Sequence, residues 1–333
     1  MMTEMTAANT PDRPSRADWQ ARIGEIGKMH GFFERLGRDH FALYVQEGNT
    51  LLVSFDEIDR VIARGADALP VGFEAVKKRE WSMLSLLADG RTWFRDQSLY
   101  RFFDKLTDEG FFDSFDQVIF LGAGPMCGHA AAAFSVAAPG AKVLVLSPAA
   151  TLDHEAAPFE LRFRAAWRKD FNSRYGYAPD MIDSAAQTFV IYDPLEVLDA
   201  AHAALFRAKT CRRLRFRGGG AAILSLLEPH SNLDRILKAT ANNRMTDPGA
   251  DRNRCRAFRP SPVGAGGADR GNPSGRTGGR GGRITTTPLM PLTENNAHNR
   301  IWAFPKHWSV IYPAAQAAAP GPGSRVRPAY RAT

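Results

Sequence analysis

The residues with which this chain could do chemistry are gathered in Gly122-Ala123-Gly124-Pro125-Met126-Cys127-Gly128-His129. They follow the apolar run Val118-Ile119-Phe120-Leu121 and precede an alanine-rich stretch, which places them at a strand-to-helix turn. Such a turn displays a hydroxyl nucleophile when it reads Gly-x-Ser-x-Gly. Here Gly124 stands where the serine belongs, and no Ser or Thr lies between Leu121 and Ala133. Two other chemistries fit the stretch. Cys127 falls in the first turn of the expected helix, where backbone N–H groups and the macrodipole lower a thiol pKa; His129 and Asp193 are its candidate catalytic partners. The plainer reading of Cys127 is a small apolar filler, and residues two apart on a helix, such as Cys127 and His129, do not face each other. Gly122, Gly124 and Gly128 approximate a dinucleotide-binding turn with a helix N-terminus toward a pyrophosphate. The acidic residue that reads a ribose in such sites is missing, because the next apolar run ends in Ser147-Pro148 and no carboxylate follows before Asp153.

The elements that must position these residues are legible in the spacing of apolar side chains. Val118–Leu121 and Val143–Leu146 lack polar alternation, as strands buried on both faces do. Ala130–Ala138 is helix-forming and stops at Pro139-Gly140. Upstream, Trp19, Ile23, Ile26 and Met29 predict an amphipathic helix from Asp18 to Phe33. Phe41–Val45 and Leu51–Phe55 flank Glu47-Gly48-Asn49 like the arms of a hairpin. Asp56 could cap a helix to Ala63, Ser82–Leu87 is another strand, and Asp96 could cap a helix from Gln97 to Leu106. Downstream, 151–183 has no clean period and is rich in aromatics and arginines, so it reads as a lid or as helices packed on the sheet. Thr188–Tyr192 predicts a strand, Leu195–Phe206 a helix, Arg213–Phe216 a last strand, and Gly218-Gly219-Gly220 the opening of a short helix to Leu227. Strands alternating with helices predict an α/β fold: a mostly parallel sheet flanked by helices, with an antiparallel hairpin at its start. A ligand pocket is expected at the carboxyl ends of the strands, lined by Gly122–His129, Asp56, Asp193 and part of 151–180.

From about Phe41 to Leu227 the chain resembles the α/β-hydrolase superfamily, most specifically at Gly122–Ala132 and Val143–Pro148. The resemblance implies a catalytic acid after the strand ending at Tyr192, where Asp193 stands. It implies a histidine near Gly218–Ala222, where the sequence reads Gly-Gly-Gly-Ala-Ala; His230 is the only fallback. Two of three triad positions are thus empty, and an acid alone cannot activate a nucleophile. At finer grain, residues 20–245 are similar to a family of alphaproteobacterial proteins named phosphoadenosine phosphosulfate reductase. The matching residues are Gly27…His30-Gly31-Phe32-Phe33, Thr92-Trp93-Phe94-Arg95-Asp96, Gly122-Ala123-Gly124…Cys127-Gly128, Arg174-Tyr175-Gly176-Tyr177-Ala178-Pro179-Asp180 and Tyr192-Asp193-Pro194. That name implies thiol chemistry, yet neither a Ser-Gly-Gly-x-Asp-Ser loop nor a Glu-Cys-Gly-Leu-His tail occurs.

Composition sets the remaining bounds. The chain has 333 residues, 44% of them hydrophobic, and a formal net charge of +8. Residues 1–208 carry 22 Lys+Arg against 29 Asp+Glu, whereas 209–333 carry 21 against 6. The basic pI near 9.6 therefore belongs to the C-terminal third and is not a nucleic-acid footprint of the main domain; only the tail could contact RNA, weakly, through its charge. Residues 1–15 are expected to be disordered, 16–245 to form the α/β-hydrolase-like domain, and the Gly/Arg/Pro-rich 246–333 to be largely disordered. A compositional break this abrupt is also what a shifted reading frame produces, which resequencing the locus would decide. Three cysteines without ligand spacing, no apolar leader and no membrane-length apolar run predict a cytoplasmic protein. The eight histidines form no metal-ligand pattern. The expected protein is a catalytically altered α/β-hydrolase-like fold that binds a small molecule and uses no cofactor or metal. The alternatives are a thiol-dependent enzyme using Cys127 and a Rossmann-like nucleotide binder.

Overall fold

Apolar runs without alternation become the central strands of one eight-stranded sheet in the computed structural model, which describes residues 13–65, 67–228 and 232–245. In chain order, α1 (Arg16–His30) leads into β1 (Gly31–Leu36), β2 (His40–Val45) and β3 (Thr50–Glu57). Then come α2 (Ile58–Ala63), α3 (Phe73–Arg79), β4 (Ser82–Ala88), α4 (Gln97–Asp108), β5 (Gln117–Ala123) and α5 (Pro125–Phe134). The remainder is β6 (Lys142–Leu146), α6 (Ala178–Met181), β7 (Gln187–Tyr192), α7 (Val197–Leu205), β8 (Cys211–Arg215), α8 (Ile223–Leu227) and α9 (Asn232–Ala241). The spatial order is β1-β2-β4-β3-β5-β6-β7-β8. β2 is antiparallel to both its neighbours, and every pair from β4 to β8 is parallel. This is the α/β-hydrolase-like arrangement expected from the sequence.

Side-chain alternation along the strands divides the core into layers. Val118 and Phe120 of β5 pack with α4, α5 and the 149–185 segment on one face. Ile119 and Leu121 pack with α3, α8 and α9 on the other, while α1 and α2 enclose Phe41, Leu43 and Leu87. At the amino end of the sheet, Lys142 Nζ (2.6 Å) and Gln117 Nε2 (3.0 Å) both donate to the Ala241 carbonyl, so two strands cap the C-terminus of α9.

Three expectations need correction. Phe41–Val45 and Leu51–Phe55 do not form a hairpin, because β4 lies between β2 and β3. β3 is buried along nearly its whole length and takes a parallel neighbour on each side, which a terminal hairpin could not supply. The Glu47–Gly48 corner is held by Ser82, whose Oγ accepts from Glu47 N (2.9 Å) and donates to Gly48 O (2.7 Å). The hairpin that does open the sheet is β1–β2, made partly from residues assigned to the first helix. That helix ends at His30 because Gly31 passes so close to β2 that an added Cβ would lie 2.3 Å from Tyr44 O. The helix starting at Asp56 begins at Ile58 instead and has no side-chain cap, since the Asp56 carboxylate is engaged elsewhere. Asp96 does cap α4, accepting from Ser98 N at 2.8 Å. The readings made for 1–12, for 246–333 and for His230 lie outside the described residues. No helix among the described residues is long and apolar enough to cross a membrane.

Candidate functional site

At the carboxyl end of β5 the chain turns sharply into α5 through Gly124, whose φ of 85° lies in the region open to glycine. Three hydrogen bonds stitch the bend: Gly124 N to Leu146 O (2.8 Å), Gly128 N to Gly124 O (2.8 Å) and Ala149 N to Pro125 O (3.1 Å). The three glycines of the motif each face protein. A Cβ on Gly122 would lie 2.1 Å from Cys127 O, and one on Gly128 would lie 2.9 Å from Pro148. A Cβ on Gly124 would lie 3.0 Å from Arg60 Nη1. Arg60, on α2, reaches across the bend and donates to Ala123 O at 3.2 Å. Its guanidinium lies against the place from which a nucleophilic side chain would project.

Cys127 and His129 both lie inside the protein, each 1% exposed. Burial pushes the Cys127 thiol far above its ordinary value, with the Asp56 charge adding, and this overrides any help from the helix N-terminus. His129 Nδ1 donates to Ala150 O at 3.3 Å, which leaves Nε2 as the lone-pair nitrogen, buried and without a hydrogen-bond partner among the described residues. Burial, with Arg95 adding, holds this imidazole neutral, its pKa brought down to about 3. Trp93 and Phe171 flank its ring edge-on, at centroid distances of 6.2 and 5.4 Å. Asp193 lies at the end of β7 and is spent on backbone: it accepts from Leu195 N and Gly220 N, both at 2.9 Å. Burial works against its charge, but the amides of Gly220, Leu195, Gly218 and Gly219 prevail and its pKa falls. The acid thus fastens the very loop in which a histidine would stand. Cys127, His129 and Asp193 are not hydrogen-bonded to one another.

Asp56, expected as a pocket residue, is buried and forms an ion pair with Arg64 while accepting from Val71 N at 3.0 Å. Arg64 Nε also meets Glu228 at 3.0 Å, tying β3 and α2 to the end of α8. Leaving one member of a buried pair without the other costs about 3–5 kcal/mol. Asp56→Ala leaves Arg64 with Glu228 and Val71 N without its acceptor, and is therefore expected to cost the lower end of that range, about 3 kcal/mol, with an unchanged denaturant slope. Replacing both residues, as Asp56→Leu with Arg64→Met, should recover most of the loss; if the double variant is as unstable as the single one, Asp56 acts mainly by another route.

Segment 151–180 covers His129 and is anchored by charge. His202 on α7 accepts from Ala150 N at its Nδ1 (3.2 Å) and donates from Nε2 to Glu160 (2.9 Å). Arg162 bridges Glu160 (2.7 Å) and Asp199 (2.8 Å). Burial would raise the Glu160 pKa, but its bonds from His202 and Arg162 bring it to about 2. A cavity of about 670 Å³ opens beside this segment, between α4 and residues 171–181, with Asp104, Arg174, Tyr175, Tyr177 and Asp180 on its walls. Arg60, Arg64 and the His202–Glu160 pair were not visible as site residues in the sequence. The one available signal was the i,i+4 spacing of Arg60 and Arg64 directly after Asp56-Glu57.

No protein-family model matches the sequence, and no curated protein does. Solved structures with a similar chain trace include carboxyl esterase 2 of the mycorrhizal fungus Tuber melanosporum, with TM-score 0.41 and 13% identity over 64% of this chain and 85% of that one. Est1E of Butyrivibrio proteoclasticus aligns with TM-score 0.42 and 12% identity over 64% and 97% of the two chains. The capsule O-acetyltransferase of Neisseria meningitidis serogroup A gives 0.42 and 13% over 61% and 94%. The α/β-hydrolase-like assignment rests on the strand order and the β5–α5 bend.

Proposed function

We propose that this is a catalytically altered α/β-hydrolase-like protein of the cytoplasm that binds a small molecule and does not perform triad hydrolysis. One observation carries the reading: the bend that displays a nucleophile is intact, but it holds Gly124 with the Arg60 guanidinium over it. The engagement of Asp193 by the glycine loop agrees with it, since an acid given over to backbone N–H groups has no imidazole to orient. Arg60 makes one hydrogen bond among the described residues, to Ala123 O, so its other N–H donors favour a carboxylate or phosphate ligand. The thiol chemistry implied by the reductase name would require an accessible Cys127 thiolate, and burial opposes both access and ionisation.

A fluorophosphonate probe is expected to leave the protein unlabelled, and Gly124→Ser should hydrolyse p-nitrophenyl acetate no faster than the parent chain. Strong labelling of the native chain would overturn the assignment. Iodoacetamide should alkylate Cys127 only on unfolding; rapid modification below pH 8 would shift the reading to sulfur chemistry. For binding, small carboxylates and inorganic phosphate screened by thermal shift should raise the melting point of the native chain more than that of Arg60→Ala.

A further inference from the structure

Between Asp199 and Glu228 the chain carries Arg207, Lys209, Arg212, Arg213, Arg215 and Arg217 and no Asp or Glu. All six are exposed. They lie on and around β8, which is the open edge of the sheet. Leu214 and Phe216 turn inward against Phe189 and Ile191, so strand alternation sets Arg213 and Arg215 on the opposite face, about 6.6 Å apart by strand rise. Arg217 follows just beyond the strand. Arg212 donates to Met245 O and Arg207 to Ala204 O, whereas Lys209, Arg213, Arg215 and Arg217 form no hydrogen bond or ion pair among the described residues.

The edge backbone is available as well. Phe216 N donates to Tyr192 O and Thr188 N to Thr210 O, so the even-numbered residues of β8 face β7 and the N–H groups of Arg213 and Arg215 point outward. Tyr192, half-buried, pairs with Arg215 in the β7–β8 register and adds an aromatic ring beside the row.

We propose that the β8 edge binds single-stranded nucleic acid, with Arg213, Arg215 and Arg217 on successive phosphates and Tyr192 beside an unstacked base. Charged side chains on an edge strand also discourage edge-to-edge pairing, a role that the same arginines fill without any ligand. An acidic peptide added as a ninth strand is the competing occupant. Nucleic acid is favoured because cations occupy both faces of the edge, and because the later sequence Gly275-Arg276-Thr277-Gly278-Gly279-Arg280-Gly281-Gly282-Arg283 has the composition of segments that bind single strands. This surface is independent of the small-molecule reading and departs from the expectation that only the C-terminal tail could contact RNA.

The test uses the full chain and a fluorescein-labelled uridine 20-mer, followed by anisotropy between 50 and 200 mM salt. The variant R213Q/R215Q/R217Q is expected to bind at least tenfold more weakly. Its log-log salt slope should be shallower by about 2, the release expected for three phosphate contacts on a single strand. R213K/R215K/R217K should keep most of the affinity. Equal losses in R38Q/R101Q/R168Q, which removes three exposed charges elsewhere, would reduce the effect to net charge and overturn the site. So would polyglutamate competing better than RNA. Photo-cross-linking of the unaltered chain needs no variant to fold: adducts at 192 and 207–217 support the edge, and adducts confined to other residues refute it.

Discussion

Lowering the pH from 7 to 5 is expected to remove about 4 kcal/mol of stability, roughly 2 from each of two buried histidines. His129 and His40 are both 1% exposed, and burial brings their pKa values down to about 3 and about 4. Each stays neutral in the folded protein while the unfolded chain takes up a proton below about pH 6.5. Unfolding therefore binds protons, and stability falls as the pH falls. The contribution is complete above pH 6.5 and is lost progressively down to the folded values. His40 shares a 2.7 Å hydrogen bond with Thr92 Oγ1, and its Nδ1 has no partner among the described residues. Asp96 and Asp39 pull its pKa upward and Lys169 downward, but neither carboxylate outweighs burial. Around His129, the Arg95 charge adds to the effect of burial. Glu160 does not offset the loss, because its pKa near 2 matters only as the pH drops below about 4.5. Denaturant midpoints at pH 7 and 5 give the answer directly. Glu57 and Glu228, whose pKa values burial raises, work the other way. The decisive comparison is therefore His129→Leu, which should remove about half of the histidine loss. An unchanged pH dependence in that variant would mean that the His129 imidazole is not held neutral.

Gly122→Ala should cost more than about 4 kcal/mol or yield no soluble protein. The added methyl would sit 2.1 Å from Cys127 O, 2.6 Å from the Cys127 carbonyl carbon and 2.8 Å from the Ala131 methyl. Two of those atoms are helix backbone, so relief requires α5 to lift off β5, and α5 is buried along its length. Gly124→Ala is the matched control. Its neighbour is the end of the flexible Arg60 side chain, and its penalty is confined to the positive φ, about 1–3 kcal/mol. Soluble yield and urea midpoints should rank the parent chain first, Gly124→Ala second and Gly122→Ala far behind. The reverse order would mean that the bend, and not the strand–helix crossing, is the tight point.

The β5-α5-β6 unit was readable because its signals agree at every level: uniform apolar strands, glycines at the turn, small residues in the helix and Pro139-Gly140 as the stop. The hairpin was misplaced for a physical reason. Glu47-Gly48-Asn49 satisfies local turn chemistry, but pairing is decided by which strand can cover β3 on both edges, a fact carried by Ser82–Ala88 some thirty residues away. At the candidate site the glycines were legible and what they touch was not. Motif spacing cannot report that Arg60 reaches over the bend from another element, or that Asp193 is spent on the backbone of Leu195 and Gly220. The absence of a hydroxyl at Gly124 was plain in one dimension, whereas its replacement by a cation is a three-dimensional fact.

Ala150 is held through both of the peptide units that flank it. Its carbonyl receives His129 Nδ1–H and Ala178 N–H, while its own N–H goes to His202 Nδ1. The backbone of one residue therefore dictates opposite proton positions on the two rings, Nδ1–H on His129 and Nε2–H on His202. The two rings thus hold Ala150 from both sides, one through the amide before it and one through the amide after it, and act as a two-pin latch on the strap that crosses them. Imidazole nitrogen shifts should accordingly show this complementary pair of tautomers in the folded protein.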